Sequence, residues 1–245
     1  MKQNKIFILL CILAVVVTGI LAFVPKDKID DDRFVSYIVD TKNQNVELFW
    51  KDDKNEFFRS IQNLKYWLIK NKRKLLFATN GGMYKADNTP QGLYIENQKI
   101  LFPADTSTGA GNFYLKPNGV FYITTDNAPF ICNTTQFSGN IKIKYATQSG
   151  PMLVIDGQIH PAFKARSSNL NIRNGVGILP DNKIIFAMSK KEMNFFDFAN
   201  YFKSLGCKNA LYLDGLVSRT YLPAKQWIQT DGNFGVIIGV TKAAD

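Results

Sequence analysis

Histidine is almost missing from this 245-residue chain, which carries one, His160, together with only three cysteines. A histidine-rich metal site is therefore excluded, and a Ser-His-Asp triad would have to use His160. That residue follows Asp156-Gly157 and precedes Pro161, a pattern that reads as a hairpin exit and gives the imidazole a structural place. C-x-x-C, H-E-x-x-H and EF-hand patterns do not occur, and neither do the nucleotide cradles G-x-x-x-x-G-K-[ST] and G-x-G-x-x-G. No cofactor is required by these residues. A divalent cation held by Asp214 and main-chain carbonyls would demand no special spacing, so it stays open.

Acidic residues are the scarcer charge, 20 against 30 lysines and arginines, for a net +10, or +8 once Lys2 and Lys5 are set aside. The excess favours anionic partners such as phosphorylated sugars or lipid headgroups. Nucleic acid is disfavoured, because the basic residues are scattered and form no recognition-helix, zinc-finger or RNP-like pattern. With 46% hydrophobic and 20% charged residues, the chain is globular rather than disordered.

Long apolar runs are limited to one, the nineteen uncharged residues 6–24. It reaches the length of a membrane span, exceeds a usual signal-peptide core and lacks a clean small-x-small cleavage site. The expected organisation is an N-terminal anchor over residues 1–24, a charged linker over 25–33 and one domain over 34–245. The domain is expected outside the cytoplasm, on the periplasmic side of an inner membrane, with secretion after signal cleavage as the alternative. In that compartment Cys132 and Cys207 form either one disulfide or two unpaired buried thiols.

What is present reads as an α+β domain, a mostly antiparallel mixed sheet with two main helices. Residues 34–39 and 46–50 read as a first strand pair. Asp53 and Glu56 resemble a capping box opening a helix with Phe57, Ile61, Leu64 and Leu68 on one face. Residues 75–79 form a buried strand ending in Asn80-Gly81-Gly82. Hairpins are expected around Asn97, Pro117-Asn118-Gly119, Asp156-Gly157 and Pro180-Asp181-Asn182. Asn194 caps a second helix carrying Phe195, Phe198, Ala199, Phe202 and Leu205, with Gly206 at its end. That helix feeds strand 210–213, which Asp214-Gly215 stops, and residues 234–241 form a closing strand. The helix, strand, polar-glycine order thus occurs twice.

Four polar-glycine clusters at strand ends carry the candidate chemistry: Asn80-Gly81-Gly82, Gln148-Ser149-Gly150, Arg173-Asn174-Gly175 and Asp214-Gly215. Glycine there lets main-chain N–H groups approach a ligand. Asp214 offers a carboxylate, Ser218 a hydroxyl and Arg219 a guanidinium on one corner, while Arg173 could grip a phosphate bidentately.

The ordered blocks NGGMY at 80–84, P-x-GLYIE at 90–96, NFYLKPNGVFYI at 112–123, TQSGPMLVIDG at 147–157, RNGVGIL at 173–179 and ALYLDGLVS at 210–218 resemble the phosphodiester glycosidase family. The resemblance implies hydrolysis of a sugar–phosphodiester bond at the anomeric carbon, with a sugar phosphodiester or phosphorylated envelope glycan as partner. It places Asp214, Arg173 and Ser218 in catalytic positions. Asn80, Gly81, Gly82, Gln148, Ser149, Gly150, Asn174, Gly175 and Gly215 would contact substrate. Gly215-Leu216-Val217 departs from the longer glycine run of the animal members and resembles the short bacterial-type members. The alternative on the same fold is a non-catalytic extracytoplasmic module that binds phosphorylated glycan.

Overall fold

The structure, a computed structural model, describes residues 30–139, 142–215 and 217–244. The expected anchor and most of the linker lie outside the described residues.

Among the described residues, sixteen strands and two α-helices follow one another in the order β1 (Phe34–Val39), β2 (Asn45–Phe49), α1 (Ile61–Lys70), β3 (Arg73–Asn80), β4 (Tyr94–Glu96), β5 (Lys99–Phe102), β6 (Gly119–Thr124), β7 (Pro129–Asn133), β8 (Ile143–Ser149), β9 (Met152–Ile155), β10 (Gln158–Ile159), β11 (Asn174–Ile178), β12 (Ile184–Ser189), α2 (Phe195–Ser204), β13 (Ala210–Asp214), β14 (Thr220–Leu222), β15 (Trp227–Ile228) and β16 (Ile237–Ala243). They form three sheets rather than the one expected, ordered β1-β12-β11-β13-β9-β10, β15-β14-β3-β16-β2 and β5-β4-β8-β6-β7. Every strand pairing among the described residues is antiparallel. The α+β expectation holds, with two main helices among the described residues.

All three sheets turn apolar residues into one core, where Val35, Phe77, Tyr94, Phe121, Phe186, Leu211 and Ile238 meet. Each helix covers the outer face of one sheet. On α1, Ile61, Leu64 and Leu68 pack against Phe49, Ala78 and Ile237 of the second sheet. On α2, Phe198, Ala199 and Phe202 pack against Ile185, Ala187 and Tyr212 of the first. Strand β13 shows why the helix is needed: Leu211 and Leu213 face the central core while Ala210 and Tyr212 face α2. The period of two leaves both faces of the strand buried.

Local chemistry explains where the elements begin. Asn194 caps α2 by accepting from Asp197 N, and Gly206 beyond its end has φ 78°. Helix α1 starts later than the sequence suggests, because Ser60, not Asp53, is its cap and accepts from Asn63 N. Asp52 instead accepts from the N–H groups of Lys54 and Glu56 in a tight turn, and Arg59 at φ 60° breaks any helix before Ser60. Strands β1 and β2 do not pair with each other; β1 lies on β12 and β2 on β16. The expected hairpin at Pro117-Asn118-Gly119 is also replaced. Asn118 spends its carboxamide on Phe113 O at 3.0 Å, and Gly119 is already strand, so close to its neighbour that a Cβ would sit 2.8 Å from Cys132 O. Cys132 and Cys207 are both unpaired, and burial pushes their thiols up to about 11 and about 12.

Phe198 is wholly buried between α2 and the first sheet. Phe198→Ala should lower the unfolding free energy by about 3–5 kcal/mol, read from urea denaturation. A loss under about 1 kcal/mol would mean that α2 does not hold that sheet.

Candidate active site

Two strand ends and one strand start converge. Asn80 ends β3, Asp214 ends β13, and Asn174 opens β11 opposite Asp214. Asn174 and Asn80 are each 1% exposed and Asp214 is 8% exposed. Burial on this scale obliges every polar atom to find a partner, and the partners fix the orientation of each group. Asn174 Oδ1 accepts from Asp214 N at 2.8 Å. Its Nδ2 is then the donor, to Asn80 O at 2.8 Å, Thr79 Oγ1 at 2.9 Å and Asn80 Oδ1 at 3.2 Å. Asn80 Oδ1 also accepts from Arg219 N at 2.9 Å. The Asn80 amide nitrogen is therefore turned toward Asp214 Oδ2, 3.5 Å away. The other carboxylate oxygen, Oδ1, accepts from Gly215 N at 2.6 Å. Ser218 Oγ donates to Asp214 O at 2.9 Å, so it braces the main chain rather than the carboxylate. N–H groups thus face both oxygens of Asp214, matching the acceptor-only character of an ionised carboxylate.

Asp214 borders a cavity of about 270 Å3 with Tyr84, Lys85, Gln91 and Val217. Tyr84 and Lys85 belong to a narrow antiparallel loop. Gln91 N donates to Met83 O at 2.9 Å and Lys85 N to Thr89 O at 2.8 Å, with a bridge between Tyr84 and Pro90. Buried Asn88 anchors the loop. Its Nδ2 donates to Phe234 O at 3.2 Å, and its own carbonyl accepts from Trp50 Nε1 at 2.9 Å. Burial and then the charge of Asp214 raise the pKa of Tyr84 above its ordinary value, which keeps its hydroxyl protonated at neutral pH.

Several sequence-derived site residues are placed elsewhere. Arg173 has no exposed surface and does not reach the Asp214 cavity. Its Nε donates to Met193 O at 2.7 Å and its Nη2 to Asn169 O at 2.8 Å, and its guanidinium lies 3.6 Å from the centre of the Phe195 ring. Burial pushes its pKa down. Carbonyl dipoles and an aromatic face therefore carry this cation, in place of the phosphate expected from sequence. Gln148 is also fully buried and binds protein: its Oε1 accepts from Leu93 N and Asp105 N, both at 2.9 Å, and its Nε2 donates to Asp105 O at 2.7 Å. Ser149 Oγ donates to Leu213 O at 2.8 Å, one residue before Asp214. The Arg219 guanidinium pairs with Asp231 at 2.8 Å and donates to Ser218 O at 3.0 Å, while its main-chain N–H serves Asn80.

The glycines approach protein rather than open space. A Cβ on Gly81 would meet Ile238 at 2.3 Å, on Gly82 Thr147 Oγ1 at 2.3 Å, on Gly150 Asn118 Cβ at 2.6 Å, on Gly175 Leu211 O at 2.9 Å and on Gly215 the Tyr212 hydroxyl at 1.5 Å. They let the strand ends close on one another. His160 is structural as expected: Ala162 N donates to its Nδ1 at 3.1 Å, which leaves Nε2 to donate to Lys116 O at 3.0 Å. The structure thus brings together Asn80, Asn174, Asp214, Gly215 and Ser218, and adds Thr79, Tyr84, Lys85 and Gln91. Tyr84 ended one of the blocks read from sequence, but Lys85 carried no signal beyond being one of many lysines.

Residues 73–238 match the family model described as phosphodiester glycosidase. The chain is 35% identical over 188 residues to uncharacterized protein YigE of Escherichia coli K12, covering 76% of this chain and 73% of the relative. Among solved structures it resembles the zebrafish N-acetylglucosamine-1-phosphodiester alpha-N-acetylglucosaminidase catalytic domain, auto-inhibited by its pro-peptide, with TM-score 0.56, 15% identity and coverage of 86% of this chain and 84% of that one. A hypothetical protein from Synechocystis has TM-score 0.51 at 12% identity, covering 85% of this chain and 59% of that one. The strand-end corner of Asn80, Asn174 and Asp214 lies within the matched residues, and the chain belongs to the phosphodiester glycosidase family.

Proposed function

We propose that the protein hydrolyses the bond between an anomeric carbon and a phosphate oxygen in a sugar phosphodiester, with Asp214 as the carboxylate at the anomeric centre. The observation that carries this is the placement of Asp214, oriented by Asn80 and Gly215, as the one acidic residue among the described residues that line the cavity, which Lys85 lines as well. The C1–O bond breaks with its electron pair going to the phosphate oxygen. A phosphomonoester is a weakly basic leaving group, so the strong general acid of ordinary glycosidases is unnecessary. Lys85 supplies a cation for the departing phosphate, the role expected of Arg173 from sequence. The protonated Tyr84 hydroxyl supplies a hydrogen-bond donor. Asp214 either attacks C1 and is displaced by water, or takes the proton of a water that attacks C1; the anomer of the first product distinguishes the two. Asn80 and Asn174 position it. The apolar run over residues 6–24 supports an anchored, extracytoplasmic enzyme whose substrate is an envelope glycan or a glycan fragment.

Sugar release from a panel of hexosyl and N-acetylhexosaminyl phosphodiesters tests the reading. Asp214→Asn should keep its fold and lose about 1000-fold or more in kcat/KM. Full activity in that variant would remove Asp214 from the chemistry, and saturable binding by the wild type without release would move the protein to a binding role.

The same substitution at two cations decides which of them meets the phosphate. Lys85→Met, at an exposed side chain, should leave the urea midpoint unchanged and lower kcat/KM by about tenfold or more. Arg173→Met leaves buried carbonyls without donors, so it should cost about 2–4 kcal/mol of stability. The reverse pattern would return Arg173 to the substrate.

A further inference from the structure

Three large apolar side chains are left uncovered around α1: Tyr66, Ile69 and Ile228 are 57%, 58% and 56% exposed. Tyr66 and Ile69 are one turn apart on the helix. Lys65, one turn before Ile69, lays its amine 5.4 Å from the centre of the Tyr221 ring on β14, so this flank of α1 leans toward the β15 edge of its sheet. Ile228 of β15 is directly opposite Tyr221 in register and therefore leaves the same face of the sheet. Gln62 N donates to Thr230 O at 2.8 Å and fastens the helix to the segment after β15. The helix flank and the strand edge make one surface. Single exposed hydrophobic residues are ordinary, but a contiguous group of them marks a place of contact.

Charge around this surface has one sign. No acidic residue occurs between Glu56 and Asp87, while Lys65, Lys70, Lys72, Arg73 and Lys74 all fall within residues 65–74. Arg73 is spent on Glu47, but among the described residues no ion pair engages Lys65, Lys70 or Lys72. Lys70 and Lys72 are exposed at the end of α1, next to Ile69. Apolar side chains flanked by lysines without carboxylate partners match a membrane surface with anionic headgroups. The same pattern disfavours a second copy of the chain. A two-fold interface would turn the patch on itself and set lysines against lysines.

The described chain also begins at this edge. Asp30 pairs with Lys225 at 3.3 Å, and Lys225 precedes β15 by one residue. Five residues separate Asp30 from the uncharged run that ends at Val24, a gap that an extended chain spans with at most about 22 Å. A membrane that holds residues 6–24 is thus within reach of the α1 flank. Arg73 opens β3 and Asn80 closes it in the Asp214 corner, so that corner is about 23 Å along the strand from the basic end. Headgroups at the patch and substrate at Asp214 do not compete for space.

We infer that the α1 flank and the β15 edge form a docking surface for an anionic membrane, with Lys65, Lys70 and Lys72 on the headgroups and Tyr66, Ile69 and Ile228 at the acyl boundary. The inference stands apart from the chemistry assigned to Asp214. Residues 6–24 support it as a tether and are not part of the surface.

The test places the full chain in nanodiscs of phosphatidylcholine alone or mixed with phosphatidylglycerol. Acetylation of each lysine by a water-soluble amine reagent is then read by mass spectrometry. Lys70 and Lys72 should react about fivefold or more slowly on the anionic discs than in detergent. This protection should vanish in about 1 M salt, where the screening length is about 3 Å. Lys164 and Lys203, exposed around α2, should react alike in every case. Tyr66→Ser/Ile69→Ser alters only exposed groups, so it should keep the urea midpoint and lose the protection. Rates on the anionic discs equal to those in detergent would overturn the surface, whether or not residues 6–24 hold the chain in the disc. Protection of the same size on phosphatidylcholine, unmoved by salt, would overturn its anionic chemistry. Protection left intact by Tyr66→Ser/Ile69→Ser would overturn the apolar part of the contact. Protection in detergent that grows with protein concentration would assign the face to a second copy instead.

Discussion

The carboxamide of Asn174 is the interaction on which the site depends. From the first residue of β11 it accepts the Asp214 main-chain N–H and donates to Thr79 and Asn80 at the end of β3. It therefore joins the first sheet to the second at the point where both run out of backbone partners. A buried amide that fulfils its donors and its acceptor in this way has one orientation, and that orientation dictates the next: Asn80 must present its own nitrogen to Asp214. The carboxylate geometry is set by a chain of donors and acceptors with no free choice along it. Small residues make the closure possible, since β-carbons on Gly81 and Gly215 would collide with Ile238 and the Tyr212 hydroxyl.

Around that corner the buried polar groups divide by task. Arg173 and Gln148 are both fully buried, and both are spent on main-chain atoms of long loops, at Asn169 and Met193 for the arginine and at Leu93 and Asp105 for the glutamine. They give irregular segments the hydrogen bonds that a strand would otherwise supply. The cation near the carboxylate is the exposed Lys85, carried on a loop that Asn88 and Trp50 fasten to the core. A site with hydrogen-bonded walls and one exposed cation is suited to a charged leaving group that must depart into solvent.

The parts of this arrangement legible in sequence are those fixed by local rules. Asp214, Asn80 and Asn174 could be found because each stands beside glycine at the end or start of an apolar strand, and the repeated helix, strand, polar-glycine order pointed to two strand ends that do meet. Helix α2 was legible from its cap and periodicity. The failures share one cause, the non-local partner. Whether Arg173 faces a cleft or a ring depends on Phe195, and whether Asn118-Gly119 turns or extends depends on Phe113 and Cys132. Strands β1 and β2 are close in sequence, yet each finds its partner beyond residue 180. Lys85 had no local signature, because a lysine is placed in a site by the loop that carries it.

The most direct test of the central claim is hydrolysis in water enriched in 18O. Attack at the anomeric carbon puts the label in the released sugar and leaves the phosphate unlabelled, which is the outcome expected if Asp214 works at C1. Label in the phosphate would show cleavage of the P–O bond instead, and would make Asp214 part of a phosphodiesterase centre rather than a glycosidase one.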